Sequence, residues 1–319
     1  MPGSDSHTSA RRNRGVQDGS VSGLLNRVWL VCEPYAADYA GLAALVTTYV
    51  VSQIFLFDQP FHRMFSLDDR RIQYPHADIE HVPVVWLLIY ALVLPCAIIT
   101  IWSLVLFKPH KIHVTMLGFA VSMLLTLFVT DIVKNAVGRP RPDLISRCRP
   151  ATGTPEHELI DWQRCTQTDH HVLHDGWRSF PSGHSSFSFS GFGYLAFFMM
   201  SQFRVCLPRA GLGKTLLAVS PFLGALLIAV TRLEDYRHDV FDVVVGSLIG
   251  LCISYLSWRR YYPALSSAKC SEPHKAHADE TTHSRFGRVR DEEEMIGNAR
   301  EFELSEDESR NSLSMPWSR

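Results

Sequence analysis

The 319-residue chain has almost no net charge: 31 Lys and Arg stand against 32 Asp and Glu. No basic field argues for a nucleic-acid partner. The seven cysteines include no Cys-x-x-Cys pair. They are too few for a disulfide scaffold and provide no cysteine-based zinc or redox motif. No Asn-x-Ser/Thr sequon occurs, so N-glycosylation cannot report loop sidedness. Residues 1–26 are polar, with Arg11, Arg12 and Arg14 and no apolar core, and no cleavable signal peptide is expected there. Internal repeats and low-complexity tracts are also missing. Mean hydropathy is +0.02, the average of an ordinary soluble protein. That average conceals a division, because 22 of the 61 residues from Arg259 onward are charged, against 41 of the other 258.

What the sequence does contain is long uncharged runs. They cover Tyr39–Phe57, Val82–Phe107, Ile112–Thr130, Ser185–Phe203, Thr215–Thr231 and Val240–Trp258, the last with one acid, Asp242, near its start. Crossing about 30 Å of hydrocarbon takes roughly 20 helical residues. A spanning segment must also satisfy its own backbone, which makes each run a helix. A single run could be a buried core helix, but six in succession predict an all-α polytopic membrane protein with six transmembrane helices in a bundle. Gly246 and Gly250 form a GxxxG pair in the last run. Ser185, Ser186, Ser188, Ser190, Gly191 and Gly193 give the fourth a small-residue face. Both patterns predict close helix packing.

Six spans place both termini on one side of the membrane. The two short links on that side carry Lys108, Lys111, Arg204, Arg209 and Lys214 and no acid, and Arg259 and Arg260 follow the last span. Positive residues gather in the cytosol, so the expected domains are a cytosolic tail over 1–37, a six-helix core over 38–258 and a cytosolic, disordered tail over 259–319. The stretch from 264 is charged, serine-rich and nearly free of aromatics, as disordered segments are. The active site then faces the lumen or the exterior, and the membrane is an endomembrane of vacuolar or ER type or the plasma membrane.

Three clusters carry chemistry, all in links on the non-cytosolic side. The first is Lys134-Asn-Ala-Val-Gly-Arg-Pro-Arg141-Pro142. Arg offers a phosphate a planar fork and Lys a point charge, although a juxtamembrane basic patch for anionic lipid would look similar. The second is Phe180-Pro181-Ser182-Gly183-His184, at a helix start. There Ser182 can cap, Gly183 allows close anion approach, and free N–H groups favour an anion. His184 could give a proton to a leaving oxygen. The third, Arg232-Leu-Glu-Asp-Tyr-Arg-His238-Asp-Val-Phe-Asp242, sets His238 and Asp242 at i and i+4 on one helix face. A carboxylate behind a histidine fixes its tautomer and stabilises the imidazolium, although such a pair can also merely cap a helix. Together the clusters provide cations for phosphate, an anion-binding helix end and two histidines. That set suits phosphoryl transfer through a covalent phosphohistidine.

Lys134…Arg141-Pro142, Pro181-Ser182-Gly183-His184 and Thr231-Arg232…His238…Asp242 closely resemble the signature of the type 2 phosphatidic acid phosphatases, the lipid phosphate phosphatases. The longer strings RPRPD and RSFPSGHSS look like the fungal diacylglycerol pyrophosphate phosphatases, which also act on phosphatidate. Thr231 replaces the family's serine and keeps its hydroxyl. The resemblance covers about residues 38–258. It implies a nucleophile at His238, its partner at Asp242 and a general acid at His184. It also implies phosphate binding by Lys134, Arg141 and Arg232 with hydrogen bonds from Ser182 and Gly183, and no metal or other cofactor. Arg139 and Arg178 are second-tier candidates. The implied substrate is a phospholipid phosphate held in the bilayer. Because the clusters read the phosphate alone, sphingoid-base phosphates, polyprenyl diphosphates and sugar phosphates suit the same core. A catalytically silent scaffold is the reading from another class; intact His184, His238 and Asp242 argue against it.

Two features of the longest link remain. Cys148 and Cys165 are the only cysteines in the non-cytosolic links, and a disulfide between them suits an oxidising lumen. His157, His170, His171 and His174, with Asp169 and Asp175, make a metal site conceivable, but the inferred chemistry does not require one. The link has the length of a lid over the site.

Overall fold

The computed structural model describes residues 33–56, 60–105, 109–208 and 210–274. The chain divides into two units, residues 1–39 with 276–319, and residues 40–275. Most of the first unit, including the greater part of both expected tails, lies outside the described residues. Its described part is a 3₁₀ turn, Glu33–Tyr35, and the start of the first long helix.

Helices occupy all six predicted runs: α1 (Ala36–Leu56), α2 (Val84–Val105), α3 (Pro109–Val137), α4 (Gly183–Phe203), α5 (Leu212–Glu234) and α6 (Val240–Tyr261). By length and composition, four helices among the described residues (α2, α3, α5 and α6) are apolar enough to cross a membrane. Of the other two, α4 is more polar for a visible reason. Helix α4 lies among α2, α3, α5 and α6, so its serines meet protein. Ser190 is bonded to Ser122 at 2.8 Å and to Thr126 at 3.0 Å, and Ser186 to Thr130 at 2.9 Å. Helix α1 turns Tyr49 and Gln53 toward Asp131 of α3, at 3.2 and 3.3 Å.

The packing is the reverse of a soluble protein's. On α5, Ala218, Ala225 and Ala229 are buried, whereas Leu212, Leu216, Leu223 and Leu227 are exposed. Small residues inside and large apolar ones outside is the arrangement expected where the solvent is lipid. The predicted GxxxG pair brings α6 against α4. A Cβ at Gly246 would lie 2.5 Å from the Ser182 carbonyl oxygen, and one at Gly250 would overlap the Ser186 carbonyl. In α2, Pro95 has no N–H to give the Ala91 carbonyl, and the preceding turn, Ile89–Val93, widens to a π-helix. The Ala91 carbonyl then lies against Gly191 of α4, where a Cβ would overlap it.

Residues 60–82 and 138–182 form a layer over one end of these helices. Phe65, Ile72, Leu144, Ile160, Leu173 and Trp177 build its apolar core. A disulfide joins Cys148 to Cys165. The Trp177 indole N–H donates to the Arg63 carbonyl at 2.9 Å. Two isolated bridges, Phe65 with Ile160 and Pro150 with Cys165, are the β-pairing among the described residues. At the opposite end, Tyr262 and Cys270 are buried and Lys111 donates to the Ser271 carbonyl at 2.7 Å. The stretch just past α6 thus folds back onto the helices, although the sequence assigns it to a disordered tail.

Candidate active site

The three clusters meet where α3 and α5 end and α4 and α6 begin. Helix α3 continues past its apolar run to Val137, which places Lys134 on its last turns. Gly183, the first residue of α4, makes room for that side chain: a Cβ there would lie 3.0 Å from Lys134 Nζ. Among the described residues no carboxylate pairs with Lys134. Ser182 caps α4 by accepting from the Ser185 N–H at 3.4 Å and its hydroxyl at 2.9 Å. Its own N–H donates to the Asp242 carbonyl at 2.9 Å, which ties the start of α4 to the start of α6.

His238 is buried, and its Nδ1–H donates to the Ser179 carbonyl at 2.7 Å. A carbonyl can only accept, so the bond assigns the proton to Nδ1 and leaves the Nε2 lone pair free. Burial, then the positive charges of Arg141 and Lys134, push the imidazole well below its usual range. His238 is therefore neutral near pH 7. Asp242 does not bond to it directly: its Oδ2 is 3.9 Å from Nδ1. The carboxylate instead accepts from Arg139 Nη1 at 2.7 Å, from the Ser179 hydroxyl at 2.5 Å and from the Asp239 N–H at 2.9 Å. Its oxygens are engaged in a capping box at the start of α6. The tautomer-fixing contact expected from Asp242 comes from Ser179, which Asp242 holds.

Arg141 Nη2 donates to Asp175 at 2.7 Å, and its buried Nε has no acceptor among the described residues. Burial alone would push the Asp175 carboxyl up, but Arg141, Arg147, Lys134 and Arg178 outweigh it and hold the group below the usual carboxylate range. Arg232 is almost wholly buried. It donates to Glu80 at 2.7 Å, to Asp235 at 2.8 Å and to the Thr231 hydroxyl at 3.1 and 3.2 Å; the hydroxyl that Thr231 keeps is thus in use. His184 Nε2–H donates to the Val82 carbonyl at 3.0 Å, with Glu80 Oε2 4.0 Å away.

Between Arg232 and His238 the backbone turns sharply. Tyr236 adopts the left-handed conformation, φ 53°, which a bulky residue visits rarely. The turn lets the Arg237 and His238 N–H groups both reach back to the Arg232 carbonyl, at 3.1 and 3.3 Å. The Tyr236 ring stacks on Tyr74, centroids 4.6 Å apart. A cavity of 800 Å³, lined by Arg71, Tyr74, Arg139, Phe180 and Tyr236, opens beside His238.

All eight predicted site residues therefore gather at one end of the helices. Arg139, a second-tier candidate, contacts Asp242 directly. Sequence reasoning gave no role at this site to Glu80, Asp175 or Ser179: Ser179 lies inside the RSFPSGHSS string, Asp175 was noted only within a conceivable metal group and ends a short helix, His170–Asp175, and Glu80 comes from a loop with no pattern to mark it. Among the described residues no group of three or more His, Cys, Asp or Glu is placed to hold a metal ion.

Comparison with known proteins points the same way. The PAP2 superfamily model matches residues 115–265. Diacylglycerol pyrophosphate phosphatase 1 of Saccharomyces cerevisiae is 37% identical over 240 residues, covering 72% of this chain and 83% of that protein. The Schizosaccharomyces pombe protein named probable diacylglycerol pyrophosphate phosphatase 1 is 38% identical over 237 residues, 72% of this chain and 82% of its own. Lipid phosphate phosphatase 2 of Arabidopsis thaliana is 34% identical over 227 residues, 71% and 77% of the two chains. No solved structure matches the chain. The PAP2 match runs from α3 past the end of α6 and contains Lys134, Arg141, His184, Arg232, His238 and Asp242, and with relatives this similar along most of their length, the chain belongs to the PAP2 superfamily.

Proposed function

We propose that the protein is an integral membrane lipid phosphatase that hydrolyses diacylglycerol pyrophosphate and phosphatidate, with lysophosphatidate as a further substrate, through a phosphohistidine and without a metal. The observation that carries this reading is His238: neutral, buried, with Nδ1–H held by Ser179 and Nε2 free, beside Lys134 and Arg141. Nε2 attacks phosphorus while Lys134, Arg141 and Arg232 stabilise the charge spread over the phosphoryl oxygens. His184 protonates the leaving oxygen as the P–O bond breaks. Water then attacks phosphorus, gives a proton to His184 and releases His238.

The same reading sets six spans, with both termini in the cytosol and the site on the luminal or exterior side. The Cys148–Cys165 disulfide supports an oxidising compartment for the layer over the site. The basic links at the other helix ends support a cytosolic face there. A site at a helix mouth reaches a headgroup while the acyl chains stay in the bilayer.

The test is phosphate release by the purified protein in detergent with a chelator present. The substrate panel is diacylglycerol pyrophosphate, phosphatidate, lysophosphatidate, a sphingoid-base phosphate and a polyprenyl diphosphate. The first two should be hydrolysed fastest, and His238→Ala should abolish release while the protein still inserts. Activity lost to chelator and restored by magnesium would refute the metal-free route, and activity retained in His238→Ala would refute the nucleophile.

A further inference from the structure

Residues 80–82, immediately before α2, belong to none of the three clusters, yet each touches the site. Glu80 Oε2 is 2.7 Å from Arg232 and 4.0 Å from His184 Nε2, and its Oε1 is 2.8 Å from Arg237. His81 contacts Asp235, the second acid on Arg232, with Nδ1 at 2.5 Å and its backbone N–H at 3.2 Å. The Val82 carbonyl accepts from His184 Nε2 at 3.0 Å. Three consecutive residues thus hold Arg232, a phosphate-binding group of the proposed reaction, and His184, its general acid.

We propose that Glu80 is a positioning residue that raises the proton affinity of His184 against its surroundings and thereby supports cleavage of esters more than that of diphosphates. The inference rests on the reading of His184 as the general acid. The groups facing His184 are Arg232 from α5, Lys134 from α3, His238 from the α5–α6 link and Glu80. Burial most of all, then the charges of Arg232 and Lys134, push the imidazole down to about 3. Glu80 is the carboxylate beside it, and an opposite charge at that range favours the charged form.

The consequence depends on the leaving group. With either substrate, His238 Nε2 forms an N–P bond, the electron pair of the breaking P–O bond stays on the leaving oxygen, and the His184 proton joins it. With a diphosphate, that oxygen belongs to a phosphate monoester, weakly basic and able to leave almost unaided. With phosphatidate it belongs to a glycerol alkoxide, strongly basic, which needs the proton as the bond breaks. Water returns the proton to His184 in the second step, so the acid is regenerated in both cases. A weakened acid therefore penalises the ester far more than the diphosphate.

The experiment compares wild type, Glu80→Gln, Glu80→Asp and His184→Ala in detergent, with initial rates on phosphatidate and diacylglycerol pyrophosphate across pH. Glu80→Gln keeps an acceptor for Arg232 and removes the charge. It should lower kcat for phosphatidate roughly tenfold more than kcat for the diphosphate. It should also move the alkaline limb of the phosphatidate profile to lower pH, because His184 then loses its proton sooner. Glu80→Asp should recover part of both effects, and the residual diphosphate activity reports that the variants fold. Equal losses on the two substrates with an unmoved limb would overturn the proposal. So would a lower KM at unchanged kcat, which would make Glu80 an anion competing with the phosphate. If His184→Ala itself shows no leaving-group dependence, the general-acid reading fails and Glu80 with it. If His184→Ala is selective and Glu80→Gln is not, only Glu80 is wrong.

Discussion

Asp242 serves a helix and a site with the same carboxylate. It closes the capping box of α6 and also holds Arg139 and the Ser179 hydroxyl. His238 is bonded to the Ser179 carbonyl and not to Asp242, so Asp242 acts at one remove. Asp242→Asn should therefore lower kcat by about 10- to 100-fold, short of the complete loss expected for His238→Ala. Phosphate release rates in detergent check this, and a loss equal to that of His238→Ala would mean that Asp242 bonds His238 during turnover. This division also explains what could be read in advance. That Lys134, Arg141, His184, Arg232, His238 and Asp242 come together was legible because the proposed phosphate chemistry calls for such side chains at short spacings. Ser179 works through its backbone carbonyl, which any residue carries. Asp175, at the end of the short helix His170–Asp175, and Glu80, on a loop, matter because the fold brings them against Arg141 and Arg232, and nothing local in the sequence marks such an encounter.

At the scale of elements, hydrophobicity located every long helix but not its ends. Helix α3 was read to Thr130 and runs on to Val137, and α5 was read to Thr231 and runs on to Glu234. The added turns carry Asp131, Lys134, Arg232 and Glu234, polar residues that stop an apolar run without stopping a helix. The small-residue faces were legible because tight helix pairing requires them. Gly250 tests that point: a Cβ there would overlap the Ser186 carbonyl and come within 2.9 Å of the Ser190 N–H, both backbone atoms that cannot step aside. Gly250→Ala should cost about 1–3 kcal/mol by forcing α6 away from α4. Because Ser182 and Asp242 are bonded across the same helix pair, it should lower activity as well. Gly213→Ala is the control, since a Cβ at that α5 position meets nothing within 4 Å. Thermal unfolding in detergent should show a lower Tm for Gly250→Ala and none for Gly213→Ala; equal behaviour of the two would refute the close-packing account.

For the whole molecule, charge and cysteine chemistry sort the two ends of the helices in the same sense. The end with Lys134, His184, Arg232 and His238 lies beneath the layer that holds the Cys148–Cys165 disulfide. The other end carries Lys111, Arg204, Arg259 and Arg260, with the free, exposed Cys206 between α4 and α5. Disulfides persist where the surroundings oxidise, and positive residues stay in the cytosol. The proposed orientation satisfies both, and in it Cys206 faces the cytosol. In sealed vesicles with the cytosolic face outward, a membrane-impermeant maleimide should therefore modify Cys206 without detergent, as read by mass spectrometry of its peptide. Cys148 and Cys165 should resist until the vesicles are both permeabilised and reduced. Modification of Cys206 only after permeabilisation would invert the orientation and place the phosphatase site in the cytosol, where the disulfide would not last.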